Sequence, residues 1–332
     1  MLGGFTSMVD DRFNHFRIIN RILEKGMPVL TPVSVAIGVW MAERFSNFAS
    51  AVPWLFAVIS FVGALGLTLV DIRERLRRPL AMIVTLFILQ ILMPLIALLV
   101  GMLLFDPMTR SGLVLAFSIP TGVMSLMWVT IYHGNKSFAL AVVFIHTLLS
   151  PFFIPWTLRW FIGTDIPFDV GGMVWGLLWM IVIPSLLAIS ATRYTPKVVP
   201  MMKDVLSPIA KLHLILIIMI NSSVAAPFIR SWDLSLLYII LTVLAIALSG
   251  YGLGYVGARL LKLDESMRIS MVYTCGMRNI GAGAALAVAY FPPPVMVPIV
   301  AAILFQQVLA AALGKWMRTG RTDQSLIGRG TT

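Results

Sequence analysis

The chain has 332 residues, of which 59% are hydrophobic and only 12% charged, with a net charge of +11. A soluble chain carries about a quarter charged residues, so a soluble enzyme, a disordered chain and a nucleic-acid-binding domain are poor readings, and a polytopic membrane protein is what remains. The single cysteine, Cys275, leaves no disulfide framework and no cysteine metal cluster.

Residues 1–25 read as a cytoplasmic amphipathic segment, with Phe13, Phe16, Ile19 and Leu23 on one face and Arg12, Arg17 and Arg21 elsewhere; no cleavable signal peptide is evident. Ten apolar stretches follow, near 26–42, 51–70, 79–105, 111–132, 137–158, 170–190, 207–229, 234–257, 267–290 and 292–314. Each approaches the roughly 20 residues that a bilayer crossing needs, the first being short. A basic tail, 317–332, closes the chain. Trp54, Trp156, Trp160 and Trp232 fall near span ends, as interfacial anchors do.

With the N-terminus inside, 20 of the 25 Lys and Arg residues fall in cytoplasmic segments and 4 outside: Arg44, Arg110, Arg159 and Arg230. That asymmetry predicts ten spans with both termini cytoplasmic, in a plasma (inner) membrane, and it accounts for the basic balance without any nucleic acid. All the acids fall in loops or ends. Arg278 alone is a charged side chain in mid-span.

The spans divide into two halves of five, 26–161 and 162–316. An odd number per half requires the halves to be inverted relative to each other, a common transporter plan with its site at the midplane. The fourth span of each half is interrupted by proline, glycine and small polar residues: Pro120, Thr121, Gly122 and Ser125 in one, Thr274, Gly276, Arg278, Asn279 and Gly281 in the other. Such breaks free backbone groups for ligands; close packing of small residues is the competing explanation. The glycines at 250, 252, 254 and 257 lie inside an apolar helix and read as a packing face.

Arg278 is the sharpest feature. An arginine at a helix centre costs about 2.5–3.5 kcal/mol on insertion scales, and no membrane carboxylate is present to pair with it. Its donors must go to backbone carbonyls, water or an anionic ligand. Two roles follow: a built-in cation at the break, or a fork onto a substrate carboxylate. Asn279, Thr274, Ser125 and Thr121 are candidate substrate or carbonyl partners set against plain helix packing, and Met277 offers a backbone carbonyl. His146 is the one histidine well inside a span and the evident protonable group of the interior; a neutral histidine donating to a neighbour is the reading favoured over a proton carrier.

The ordered set Gly66-Leu67-Thr68-Leu69, Asp71, Arg77-Arg78-Pro79, Gln90-Ile91-Leu92-Met93-Pro94, Pro120 to Ser125, Gly134-Asn135, Ser150-Pro151, Gly254-Tyr255, Ala258 to Leu261, Leu263-Asp264 and Gly276-Met277-x-Asn279 resembles the bile acid–sodium symporter family. The resemblance implies an all-α, ten-helix fold in which spans 1, 2, 6 and 7 form a panel facing a core of spans 3–5 and 8–10. Spans 4 and 9 unwind and cross at its centre. It implies sodium-driven transport of organic anions, with Gln90 near the third-span ligand position. The departures are as informative. The family's ninth-span Glu and Gln, which help hold sodium, are here Thr274 and Arg278. The fourth-span Ser-Asn pair is Ser125-Leu126, two fifth-span hydroxyl positions are Ala139 and Val143, and the third-span Gln position is Leu89. A hard cation needs oxygen ligands, so the sodium sites, at positions Ser125, Thr274, Met277 and Arg278, are expected to be degenerate.

The functional expectation is a secondary transporter of a small organic anion in the lipid bilayer, with no cofactor and sodium coupling weakened or lost. Sodium coupling through residual hydroxyls and carbonyls is the alternative, which sodium-stimulated uptake would reveal. A membrane enzyme or sensor is the remote one, since the paired aspartates or metal-binding cluster it would need are missing from the sequence.

Overall fold

The computed structural model describes residues 3–67, 79–163, 168–231 and 234–327, with side chains described from 15 to 317. Thr68, Leu69, Asp71, Arg77, Arg78, Asp165, Trp232 and Asp233 lie outside the described residues, as do the side chains of Arg12 and Phe13.

The described chain is nearly all helix. In order these are α1 (Gly3–Trp40), α2 (Ala42–Ser46), α3 (Val52–Ala64), α4 (Pro79–Leu104), α5 (Pro107–Ser118), α6 (Met124–Ile131), α7 (Lys136–Ile162), α8 (Val170–Tyr194), α9 (Val199–Arg230), α10 (Leu234–Leu260), α11 (Glu265–Gly276), α12 (Ile280–Tyr290) and α13 (Met296–Ile327). Seven are long and apolar enough to cross a membrane: α1 from His15, α4, α7, α8, α9, α10, and α13 together with the turn before it, over Pro293–Met317.

The remaining three expected spans depart from single long helices. The second is α3, which ends at Ala64, where Gly66 takes a positive φ of 84° that glycine adopts at little steric cost. The fourth and ninth are each two helices, α5 with α6 and α11 with α12. The ends of the chain differ too. The boundary expected at 25/26 falls inside α1, which runs on through Pro28 and Pro32, and the tail expected at 317 begins inside α13.

Helices start where the sequence supplies caps. Asp106 accepts from the Met108 and Thr109 N–H groups at the head of α5, Asn135 from Phe138 at α7, and Asp264 from Met267 at α11, satisfying donors a first turn leaves unpaired. Two proline positions leave a different mark. Pro94 and Pro184 each follow a five-residue π stretch, Ile88–Leu92 in α4 and Leu178–Val182 in α8. Proline has no N–H to return to the preceding turn, and the widened turn is how the helix passes it.

Packing sorts the helices. α9 lies along α1 and against α3, and α3 packs on α8. Arg17 and Asp204 tie α1 to α9 with a 2.7 Å ion pair, and Lys211 of α9 sits 3.6 Å from Glu24. Elsewhere α5 packs on α4, α7 and α13, and α11 on α10, α7 and α6. Trp54, Trp156 and Trp160 are exposed, as side chains meeting lipid and headgroups should be.

Candidate functional site

The two interruptions meet. Residues 119–123, between α5 and α6, run antiparallel to 277–279, between α11 and α12, in an isolated bridge of Thr121 with Arg278. Gly122 N–H donates to the Met277 carbonyl at 3.1 Å, and Asn279 N–H donates to the Pro120 carbonyl at 2.7 Å. Backbone groups buried in an apolar medium must all find partners, and side chains supply the rest. Thr121 N–H donates to His146 Nδ1 at 3.1 Å, and Arg278 N–H to Gln306 Oε1 of α13 at 3.1 Å. The Thr121 hydroxyl lies against the carbonyls of Thr274 and, at 2.9 Å, Met277. Gly122 is required by proximity: a Cβ there would lie 2.7 Å from the Arg278 carbonyl oxygen.

His146 is held at both nitrogens. Nδ1 accepts from Thr121, so the ring proton sits on Nε2, which meets Gln90 Oε1 at 2.7 Å. The Gln90 amide in turn reaches Thr157 Oγ1 at 3.4 Å. This is the neutral tautomer with both positions committed, and it brackets the break to α4 and α7.

Arg278 is 3% exposed. Its Nη1 donates to the carbonyls of Leu89, at 3.2 Å, and Ile119, at 3.4 Å. Both acceptors are orphans of the fold. In the π stretch the Met93 N–H goes to Ile88, and the next nitrogen, at Pro94, carries no hydrogen, so the Leu89 carbonyl has no partner along its own helix. Ile119 lies just past the end of α5, before Pro120. The guanidinium therefore sits where two helices, α5 and α11, end and turn the negative ends of their dipoles towards one region. Its Nε and Nη2 have no partner among the described residues.

Beside the crossing lies a cavity of about 470 Å³. One wall is apolar, with Phe56 and Ile59 of α3 and Leu214 and Ile217 of α9; the other carries Gly122 to Met124 and Arg278 to Gly281. The cavity thus receives the first turns of α6 and α12, where the Ser125 and Leu126 N–H groups turn back to the Gly122 and Val123 carbonyls and those of Ala282 and Gly283 to the Asn279 carbonyl. Of the candidate substrate-binding residues read from sequence, Arg278 and Asn279 line it. Asn279 also caps α12, its Oδ1 facing Ala282 N–H at 3.4 Å. Thr121, His146 and Gln90 stand behind the crossing and hold it. Thr274 donates to the Ser270 carbonyl of its own helix, and the Ser125 hydroxyl is buried without a partner among the described residues. Among the wall residues not singled out are three amides: Asn221, fully buried with neither side-chain amide atom paired, and Gln306 and Gln307. Polar side chains inside apolar spans were the available signal.

The sequence over residues 52–232 matches the model of the sodium bile acid symporter family. The chain belongs to that family. It is 43% identical over 291 residues to an uncharacterized Bacillus subtilis (strain 168) protein, YbaS, covering 87% of this chain and 95% of that one. An uncharacterized sodium-dependent transporter of the same organism, YocS, is 28% identical over 79% of this chain and 84% of its own. A probable chloroplastic sodium/metabolite cotransporter of Arabidopsis thaliana, BASS1, is 25% identical over 86% of this chain and 74% of its own. This is a family of membrane transporters, not enzymes, and the chain is a multi-pass membrane member of it. The family membership expected from the sequence is thereby established.

Proposed function

We propose that the protein carries a small organic anion across the plasma (inner) membrane by alternating access without sodium, the guanidinium of Arg278 standing permanently where a coupling ion would otherwise neutralise the crossing. The observation that carries this reading is the bonding of Arg278 Nη1 to the orphan carbonyls of Leu89 and Ile119. Carbonyls at broken helices are what a sodium ion takes in this kind of carrier, and a fixed guanidinium repels a second cation within about 4–6 Å. The aliphatic side chains of Leu126, Ala139, Val143 and Leu89 offer that cation no oxygen. The positive dipole ends of α6 and α12 favour an anion in the cavity. Lys203, also in its wall, adds positive charge, while Lys211 there is paired with Glu24.

The reading places ten spans in two inverted halves, with the contacting set α1, α3, α8 and α9 as one body and the remaining helices as the other. Replacing sodium by choline in a proteoliposome uptake assay is expected to leave the initial rate within about twofold, because RT ln 2 is below any ion-site energy. A many-fold fall would return the protein to sodium symport through residual carbonyls, as the names of YocS and BASS1 suggest for those proteins. Since both nitrogens of His146 are committed to the fold, uptake is also expected to be flat between about pH 5.5 and 7.5; a pH-dependent rate abolished by His146→Gln would make it a proton carrier instead.

Orientation follows from charge. A cysteine introduced at Pro107, exposed at the head of α5, should react with an impermeant maleimide added from outside, and one at Leu76 should not. The reverse pattern would overturn the cytoplasmic placement of both termini.

A further inference from the structure

We propose that the Nε–Nη2 edge of Arg278 is a binding site for one small monovalent anion, a halide or a single carboxylate group. The inference rests on reading Arg278 as the resident cation of the crossing and goes on to name what neutralises it. Three observations support it. The first is the division of the guanidinium's hydrogens. Nη1 is spent on the Leu89 and Ile119 carbonyls, while Nε and Nη2 are buried and have no partner among the described residues. These two nitrogens share the side-on edge of the group and point their hydrogens in parallel, the fork that takes a carboxylate on two bonds or a halide between them. The second is that the fork is held ready. With Nη1 anchored on two backbone carbonyls, the guanidinium is fixed in orientation, so an anion does not have to order it.

The third is charge. No carboxylate among the described residues pairs with Arg278, and the ion pairs found, Arg17 with Asp204 and Lys211 with Glu24, do not include it. Carbonyls and water satisfy hydrogens but leave the net charge, and a buried charge is retained at a reasonable cost only when paired. The 3% exposure of Arg278 limits the guest to an atom or a terminal group. Arg278 also belongs to the wall of the 470 Å³ cavity, so a carboxylate at the fork would have its organic body there.

The test is equilibrium dialysis of radiolabelled chloride against the purified full-length protein in a sulfate buffer free of other halides and of carboxylates. Saturable binding approaching one chloride per chain is expected, with bromide competing and Arg278→Gln weakening binding at least about tenfold through loss of charge-assisted hydrogen bonds. Acetate as competitor separates the sources. Displacement by acetate at concentrations similar to chloride or lower identifies the site with a transported carboxylate, and resistance to acetate identifies a resident halide; both support the anion site. Unsaturable binding overturns it, as does undiminished binding in Arg278→Gln. If that variant does not fold, the anomalous signal of bromide in crystals of the unaltered protein decides: a peak at the fork supports the site, and peaks elsewhere only overturn it. Sodium-independent uptake without saturable chloride binding would remove the fork site and leave the built-in cation standing.

Discussion

Arg278→Ala is expected to lower the initial rate of organic anion uptake about 100-fold or more in proteoliposomes of matched protein content. The side chain gives two charge-assisted hydrogen bonds to the Leu89 and Ile119 carbonyls, each worth about 1.5–3 kcal/mol, and every 1.4 kcal/mol is about a factor of ten. Truncation removes the positive charge from the ends of α5 and α11 together with both bonds, leaving two buried carbonyls unpaired. Arg278→Lys should recover only part of the loss: an ammonium carries the charge as a point and cannot serve two carbonyls while presenting a planar fork. Normal uptake by Arg278→Ala would end both the built-in cation and the anion fork.

Gly122→Ala is the second large effect. Its Cβ would stand 2.7 Å from the Arg278 carbonyl oxygen and 3.1 Å from the carbonyl carbon, both backbone atoms with little room to yield. The bridge would have to open at the Gly122 N–H to Met277 bond. Overpacking of this kind costs about 1–3 kcal/mol, and the displaced atoms are those facing the cavity. A lowered unfolding midpoint and at least about a tenfold loss of uptake are expected together. Gly252→Ala is the control: nothing lies within 4 Å of a Cβ added there, and alanine is favoured over glycine in a helix by about 1 kcal/mol. Equal damage from the two substitutions would show that the crossing is not sterically special.

The interruptions were legible in the sequence because proline, glycine and a lone arginine stand out in an apolar run, and a charge in hydrocarbon restricts its own explanations. What Arg278 touches was not legible. The Leu89 carbonyl is free only because Pro94, five residues on, lacks an N–H, and because the π stretch turns the neighbouring bond to Ile88. Leu89 could be read as a lost side-chain ligand, but a backbone acceptor leaves no letter in the sequence. The partners of His146 depended likewise on three distant segments meeting, and Gln306 on the phase of α13. The second apolar stretch reached residue 70 by hydropathy, which is blind to the turn that Gly66 makes after Ala64.

On the sodium-free reading proposed above, the cation of the crossing is covalently part of the chain, and that sets what such a carrier does with energy. A dissociable ion enters from the side where it is abundant and leaves where it is scarce, and the difference performs work on the solute. A guanidinium on α11 and α12's connecting residues makes the round trip every cycle and is released to neither compartment. It contributes no downhill step, so under the proposed sodium-free cycle the solute runs down its own electrochemical slope or is traded for another. A membrane potential adds about 2.3 kcal/mol per elementary charge per 100 mV. With an anion seated on it, the loaded site is electrically neutral and crosses without feeling that term, whereas the empty site returns carrying a positive charge and does feel it. Voltage should thus act on the return of the unloaded protein rather than on the delivery of its cargo.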